Sequence, residues 1–451
     1  MPPPVRTIPT DYHYHIYDYG GSAAWQLSPP VVPAGNLSFY SMHQDLNGLV
    51  ITGNANGVPN IACNALGGAF AGDGVMRTID VLSFGGPNPI GATPQVVITG
   101  GIHAREWVAS EMAYLLAEYL VRNYTTAVAV PHPTRYQLAL RNLVDSRHIH
   151  IIPLLNPHGN AHTITGGVRL WRKNRNPLPT TGAGWLAAIN HLPFQNAQNA
   201  GGCTYDVPDY DPLNNIPPGG PAHFRNRALQ TYETGVDLNR NFNTQAWGYD
   251  CGPNFRNWNP TWDSFFGANA ASETETQQVQ LFLANTVNVE TAIDYHSYSK
   301  LILYPSEAFN LNMVGANYED LGWIMQRLIR AAWSRFTAGP TDYALNSPRL
   351  SVIGYDATGS VCDRIAQMPG GVRAFTIELD PAFGTAGGFV LPETAIQGVF
   401  EKNVRAALAL IEAAGQQSNI NVSCCFGRRT IASGEREYLR WNVFGQGNQL
   451  P

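Results

Sequence analysis

In the stretch VITGGIHAREWVASEMAYLL, residues 97–116, an apolar run hands over to an apolar helix, and His103, Arg105 and Glu106 crowd the junction. An imidazole and a carboxylate three residues apart at such a turn can converge on one point. Both are ordinary zinc ligands, and a catalytic zinc takes three protein ligands and keeps one position open. His-x-x-Glu alone is a weak signal, because with 12 histidines in the chain one chance match is unsurprising. The third ligand has to come from elsewhere. His296, in AIDYHSYSKLILYP, stands at the end of another strand-like run. A lone histidine there is more often a satisfied core or rim residue. What weighs for it is company, since sites on α/β sheets are built at strand ends along one edge.

The elements that must position these groups alternate. Strands are expected in PQVVITGG, RHIHIIPLLN, TAIDYHSY, LILYP and RAFTIEL, each short, apolar and bounded by breakers or polar residues. Helical spacing puts Val108, Met112, Leu115, Leu116 and Tyr119 on one face. SETETQQVQLFL opens with Ser272 and Glu275, the spacing of a capping box. YEDLGWIMQRLIRAAWSRF predicts a third helix. LPETAIQGVFEKNVRAALALIEAA predicts a fourth, with Ile396, Val399, Val404, Leu408 and Ile411 on its buried side. The pattern predicts an α/β fold: one large α/β/α domain with a mixed twisted sheet flanked by helices.

Of 451 residues, 44% are hydrophobic and 14% charged, a globular balance rather than a disordered one. The net charge of −5 and the absence of a basic run argue against nucleic acid as a partner. Apolar runs are too short to span a membrane. MPPPVRTIPTDYHYH lacks the apolar core of a signal peptide, which leaves a cytoplasmic location or export by a route the sequence does not display. Six cysteines do not make a disulfide scaffold; Cys203 and Cys251 could pair if exported, and free thiols are an equal expectation. Residues 1–75 read as an irregular segment partly joining the catalytic domain, 76–415 as that domain, and 416–451 as a C-terminal extension. Within the domain, 176–230 reads as a long loop insertion, and loops of such length tend to be functional or mobile.

GGIHAREW, LWRKNR, GVDLNRNF, SETET, DYHSYS and FTIEL occur in this order. Together they resemble the zinc metallocarboxypeptidases of the pancreatic carboxypeptidase A/B type, from about Met76 to Ala414. The resemblance implies that His103, Glu106 and His296 bind one Zn2+ and that Asp237 orients a ligand histidine. On residue type alone, Asp237 could instead be a helix or turn cap. The resemblance implies Glu378 as general base and Arg172 as oxyanion stabiliser. Asn239 and Arg240 would hold the substrate's terminal carboxylate, a task suited to a planar guanidinium. Tyr355 would close over the terminal residue, and Arg105, Ser297 and Tyr298 would contact the peptide upstream of the cut. Lys173 and Arg175 read as solvated surface charges. The implied partners are peptide or protein C-termini, and the enzyme is expected to be a monomer with neither nucleic acid nor membrane as partner.

In the family, specificity turns on the residue seven after the lid tyrosine, here Cys362. A small neutral thiol behaves as a weak hydrophobe. An A-type preference for apolar or aromatic C-terminal residues is therefore expected; a one-residue slip in the count would put Asp363 there instead. NPHG at 156–159 departs from the family's NPDG, and His158 is expected to be a turn residue. The insertion is expected to wall the cleft. Residues 1–75, short and rich in Gly and Pro, are not expected to supply the activation pro-domain of the pancreatic enzymes. Two other readings stand beside the peptidase: a binding protein with dead chemistry on the same fold, and a zinc amidohydrolase acting on acylated amino acids.

Overall fold

Seven runs of β-forming residues collect into one mixed sheet in the computed structural model. The structure describes residues 61–62, 78–79, 81–85, 93–129, 131–132, 135–165, 168–176, 235–248, 263–305, 316–333, 343–346, 357–385, 388–415, 420–421 and 430–431. The strands are β1 (Leu82–Gly85), β2 (Gln95–Thr99), β3 (His148–Ile152), β4 (Val289–Ser297), β5 (Leu301–Leu303), β6 (Ala344–Asn346) and β7 (Arg373–Leu379). Their spatial order is β1-β3-β2-β4-β7-β5-β6. β3, β2, β4 and β7 run parallel as a central block. β1 and β5 pair antiparallel to that block, and β6 runs parallel to β5. The expected mixed α/β sheet is thus the one observed. Two small hairpins of two-residue strands, Ile61–Ala62 with Thr78–Ile79 and Ile420–Asn421 with Thr430–Ile431, stand apart from it.

Because side chains alternate across a strand, the central block carries two cores. Ile293, Tyr295, Phe375, Ile377 and Leu379 point to one face. There they meet helices α1 (Trp107–Ala129), α2 (Arg135–Asp145), α5 (Ala316–Trp333) and α7 (Glu393–Ala413). Val97, Ala292 and Ala374 point to the other, against α4 (Thr274–Asn285) and α6 (Val361–Ala366). Val108, Met112, Leu115 and Leu116 of α1 are buried, with Tyr119 partly so, and all five apolar positions read from α7 are buried. Polar residues inside strands are satisfied locally. His150 lies between Ser83 Oγ and Gln95 Oε1 at 2.7 Å each, and burial pushes its pKa down to about 3. It is a neutral core histidine.

Two expectations about local structure are corrected. Ser272 and Glu275 do not form a capping box. The helix starts at Thr274 with Glu273 as its N-cap, which makes no side-chain cap bond. The carboxylates there are drawn instead to Asn174 and Asn176 of a neighbouring loop. His158 is not a turn residue: it is buried in the first turn of α3 (Pro157–Thr165), where Asn156 Oδ1 accepts from the Gly159 N–H at 2.9 Å. Proline at the first helical position behind an asparagine is a natural start signal.

The insertion lies almost wholly outside the described residues. Its neck is described: the Gly235 N–H donates to the Asn176 carbonyl at 2.9 Å, so the chain leaves and returns at adjacent points. Tyr355, Cys203, Cys251, nearly all of 1–75 and most of the C-terminal extension also lie outside the described residues. Among the described residues, no helix is long and apolar enough to cross a membrane.

Leu116 is fully buried between α1 and the sheet. Leu116→Ala should lower unfolding free energy by roughly 2–5 kcal/mol in urea titrations, through lost transfer energy and the cavity left behind.

Candidate metal centre and active site

The parallel block aims the C-terminal ends of β2 and β4 at one place. After β2 the chain turns at Gly101, whose φ of +64° suits glycine, and whose missing Cβ would meet Ser110 Oγ at 2.2 Å. This brings His103 to the edge and puts Glu106 just ahead of α1. His296 is the penultimate residue of β4, the neighbouring strand.

The three side chains converge, all buried. His103 Nδ1 is 2.8 Å from Glu106 Oε1, His296 Nδ1 is 2.9 Å from Glu106 Oε2, and the two Nδ1 atoms are 3.1 Å apart. A tetrahedral zinc with bonds of about 2.1 Å holds its ligand atoms roughly 3.4 Å apart. Two imidazole nitrogens and one carboxylate are a normal zinc donor set, and their separations of 2.8, 2.9 and 3.1 Å would each need to open by about 0.3–0.6 Å to reach that spacing. The residues fit the ion. Burial opposes ionisation of Glu106, but the two imidazoles outweigh it and hold the carboxyl far below its ordinary range. Burial likewise opposes charge on His296, yet Asp294 and Glu106 raise its pKa well above normal. Metal binding would therefore displace protons.

Further groups surround the trio. Asp237 Oδ1 lies 3.2 Å from His103 Nε2, on the far side of that ring. Its Oδ2 accepts from Arg172 Nε at 3.0 Å, and the Arg172 NH2 group is also 3.0 Å from it. Desolvation works against the Asp237 carboxylate, but Arg172, His103 and Arg240 hold it well below the usual range. One buried acid thus fixes both the His103 ring and the guanidinium. Asp237 is also the N-cap of the short 3₁₀ turn Leu238–Arg240, accepting from the Asn239 N–H, so the cap alternative raised by its residue type holds alongside the contact to His103.

Glu378 is paired in register with His296 on β7 and is partly exposed. Desolvation, followed by the nearby Glu106 charge, pushes its pKa up to about 7, with His296 and Arg172 opposing. A bound cation would pull it back down. An ionised carboxylate beside a bound metal can accept a proton.

The expected substrate contacts gather on the same rim, with one outside the described residues. Asn239 is buried; its Oδ1 accepts from the Val361 N–H at 3.0 Å and its Nδ2 is 3.2 Å from His296 Nε2. Arg240 is buried and donates to the Asn239 carbonyl at 2.8 Å. Arg105 reaches Asp263 at 3.1 Å and lies 4.3 Å over the Phe389 ring. Tyr298 meets the same ring edge-on at 4.9 Å, a packing that requires glycine at 388, where a Cβ would strike the Tyr298 ring. Ser297 is buried, and its main-chain N–H holds Glu106 Oε2 at 3.1 Å. Cys362 is buried in α6, its thiol pushed up by burial and then by Asp363. Tyr355 is not among the described residues.

Sequence reasoning missed two features. Asp294 lies 2.7 Å from His296 Nε2. The signal was available, since residues two apart on a strand share a face. Lys173, expected on the surface, is buried, its charge answered in part by Glu273. The physical reason is the loop that carries Arg172. Asn174 Nδ2 donates to Glu273 at 2.6 Å, and Asn174 Oδ1 accepts from the Val236 N–H at 2.8 Å. Asn156 Nδ2 donates to the Ile102 and Lys173 carbonyls at 3.1 Å each, tying the His103 loop to the Arg172 loop. Lys173 is drawn inward by this stitching. Arg175 is half-buried, 4.8 Å over the Trp171 ring.

The chain matches the family profile described as zinc carboxypeptidase over residues 74–406. It belongs to the zinc carboxypeptidase family. It is 25% identical over 321 residues to zinc carboxypeptidase A 1 of Anopheles gambiae, covering 71% of this chain and 56% of that one. To carboxypeptidase O of Bos taurus it is 26% identical over 313 residues, 69% of this chain and 63% of that one. The chain therefore spans somewhat over half the length of these relatives. The fold is like that of bovine thrombin-activatable fibrinolysis inhibitor in complex with tick carboxypeptidase inhibitor. There the TM-score is 0.55 and the identity 18%, over 89% of this chain and 99% of that one.

Beneath the Arg172 loop, burial and the neighbouring Glu273 raise the Glu275 carboxyl to about 8 from its ordinary value of 4.5. The folded state therefore holds a proton there that the unfolded chain releases, so this group's contribution to stability falls as pH rises from about 4.5 to 8. Glu275→Gln, a neutral isostere, should gain stability relative to the parent across that window. Paired urea unfolding series at pH 5 and pH 8 measure the difference.

Proposed function

We propose that this protein is a zinc exopeptidase that hydrolyses the C-terminal peptide bond of peptides or proteins. The observation that carries the reading is the convergence of His103, Glu106 and His296, with Glu378 paired beside His296 at the open side. Zinc held there would supply Lewis-acid chemistry, polarising a carbonyl and easing the deprotonation of water. Glu378 takes the proton from the attacking water and passes it to the leaving amine nitrogen. Arg172, fixed by Asp237, donates to the oxygen on which negative charge develops. Arg240 and Asn239 hold the terminal carboxylate of the substrate. A peptide without that carboxylate forgoes the charge-assisted bonds to Arg240, which favours cutting at chain ends. Arg105 and Tyr298 contact residues upstream, and Tyr355 closes over the terminal side chain.

Apolar or aromatic C-terminal residues are the favoured substrates. Two carboxylates lie near Cys362, and both have acceptors taken within the protein. Asp363 Oδ2 accepts from Ser360 Oγ at 2.6 Å; Asp294 is held by Thr99 Oγ1 at 2.7 Å and faces His296. The neutral thiol is left to line the pocket.

Glu378→Gln should lower kcat by roughly 10²–10⁴ while bound zinc, measured by atomic absorption, stays at the parent's level. A variant that trims peptides at the parent's rate removes Glu378 from the reaction. Hippuryl-Phe should be cleaved with a higher kcat/KM than hippuryl-Arg, and the reverse order would assign a basic preference to the pocket.

A further inference from the structure

Both imidazoles at the centre turn Nδ1 inward and Nε2 away. The nitrogen turned away is answered by a carboxylate in each case: Asp237 for His103 at 3.2 Å, and Asp294 for His296 at 2.7 Å. Asp237 follows from the sequence motif. Asp294 does not, and its contact is the shorter.

Asp294 is buried on β4, two residues before His296 and on the same face of the strand. Its Oδ1 accepts from Thr99 Oγ1 at 2.7 Å. Thr99 is its register partner on β2, so the sheet itself sets this bond. With one oxygen fixed by Thr99, the other is directed at the His296 ring.

A second group competes for the same ring nitrogen. Asn239 Nδ2 lies 3.2 Å from His296 Nε2. The orientation of that amide is set, because Asn239 Oδ1 accepts from the Val361 N–H at 3.0 Å. An amide NH2 only donates. If it served Nε2, the proton of the neutral ring would sit on Nδ1, the atom facing Glu106 and His103, and a metal needs that atom bare. An ionised carboxylate only accepts. It calls for the proton on Nε2 and leaves the Nδ1 lone pair for the ion. The two neighbours favour opposite tautomers, and the shorter, charge-assisted contact prevails.

We propose that Asp294 is a positioning residue that selects the Nε2–H tautomer of His296 against Asn239, and thereby sets the affinity of the site for zinc. The proposal rests on the reading of His103, Glu106 and His296 as the metal ligands. The competing explanation is that Asp294 and Thr99 only tie β2 to β4. That would cost stability and leave metal affinity alone.

Zinc dissociation constants of the full chain, from competition with a chromophoric chelator, separate the two. Asp294→Ala should weaken zinc binding by about 10–100-fold, with Asp294→Asn intermediate because it keeps an acceptor oxygen but no charge. Asp294→Ala combined with Asn239→Ala should bind zinc at least about threefold more tightly than Asp294→Ala alone, because the competing donor is gone. The visible spectrum of the cobalt-substituted protein should shift in Asp294→Ala and return toward the parent in the double variant. Folded Asp294→Ala protein with parental affinity overturns the proposal. So does a double variant that binds no better than the single one. If Asp294→Ala does not fold, Thr99→Val removes only the bond that fixes the carboxylate. It should weaken zinc by a few-fold, and parental affinity there overturns the proposal equally. Parental zinc affinity in His296→Ala would instead sink the ligand assignment on which the proposal rests, and is read separately.

Discussion

A carboxylate taken out of water is costly to keep ionised, and Glu106 is buried between two imidazoles. The rest of the site follows from satisfying it. The Ser297 N–H and both histidines face its two oxygens. The histidines, drawn toward Glu106 on one side, need acceptors on the other, and Asp237 and Asp294 stand there. Asp237 in turn needs a cation, and Arg172 lies against it. Nitrogen and oxygen groups alternate outward from the centre, each fixed by the one before. The three donor groups could hold a divalent ion, which would take the place of their contacts with one another.

The parallel block makes this possible. Strand ends that point the same way put His103 and His296 on one edge though they are distant in the chain. Register puts Thr99 beside Asp294, and His296 beside Glu378. The loops above the edge are then fastened to one another: Asn156 links the His103 and Arg172 loops, and Asn174 anchors the latter to Glu273. The Arg172 guanidinium and His103 are therefore held through shared partners.

Much of this was legible in the sequence. The central strands and the long helices announced themselves through apolar runs and helical spacing, and the chemistry through six ordered motifs. The edge strands β1 and β6 were not read, because a strand of three or four residues carries too little alternation to stand out. α2 also goes unread, and so do α3 and α6, which are short, although Asn156–Pro157 does carry a helix-start signal. Lys173 was misplaced because its counter-charge, Glu273, lies far along the chain, and pairing of that kind is a product of the fold. Ser272 and Glu275 have capping-box spacing, yet Asn174 claims the carboxylates first. Asp294 is legible too, since strand alternation over Asp-Tyr-His puts it on the same face as His296.

The neck between Asn176 and Gly235 has a consequence for how such a chain can diversify. A segment closed at its base by one main-chain hydrogen bond is, thermodynamically, a loop whose ends are already joined. Each doubling of its length adds only about 0.6 kcal/mol of closure entropy. Closure entropy therefore sets little resistance to change in the length of residues 177–234, and this neck beside the Arg172 loop is a doorway through which natural variation in length can enter.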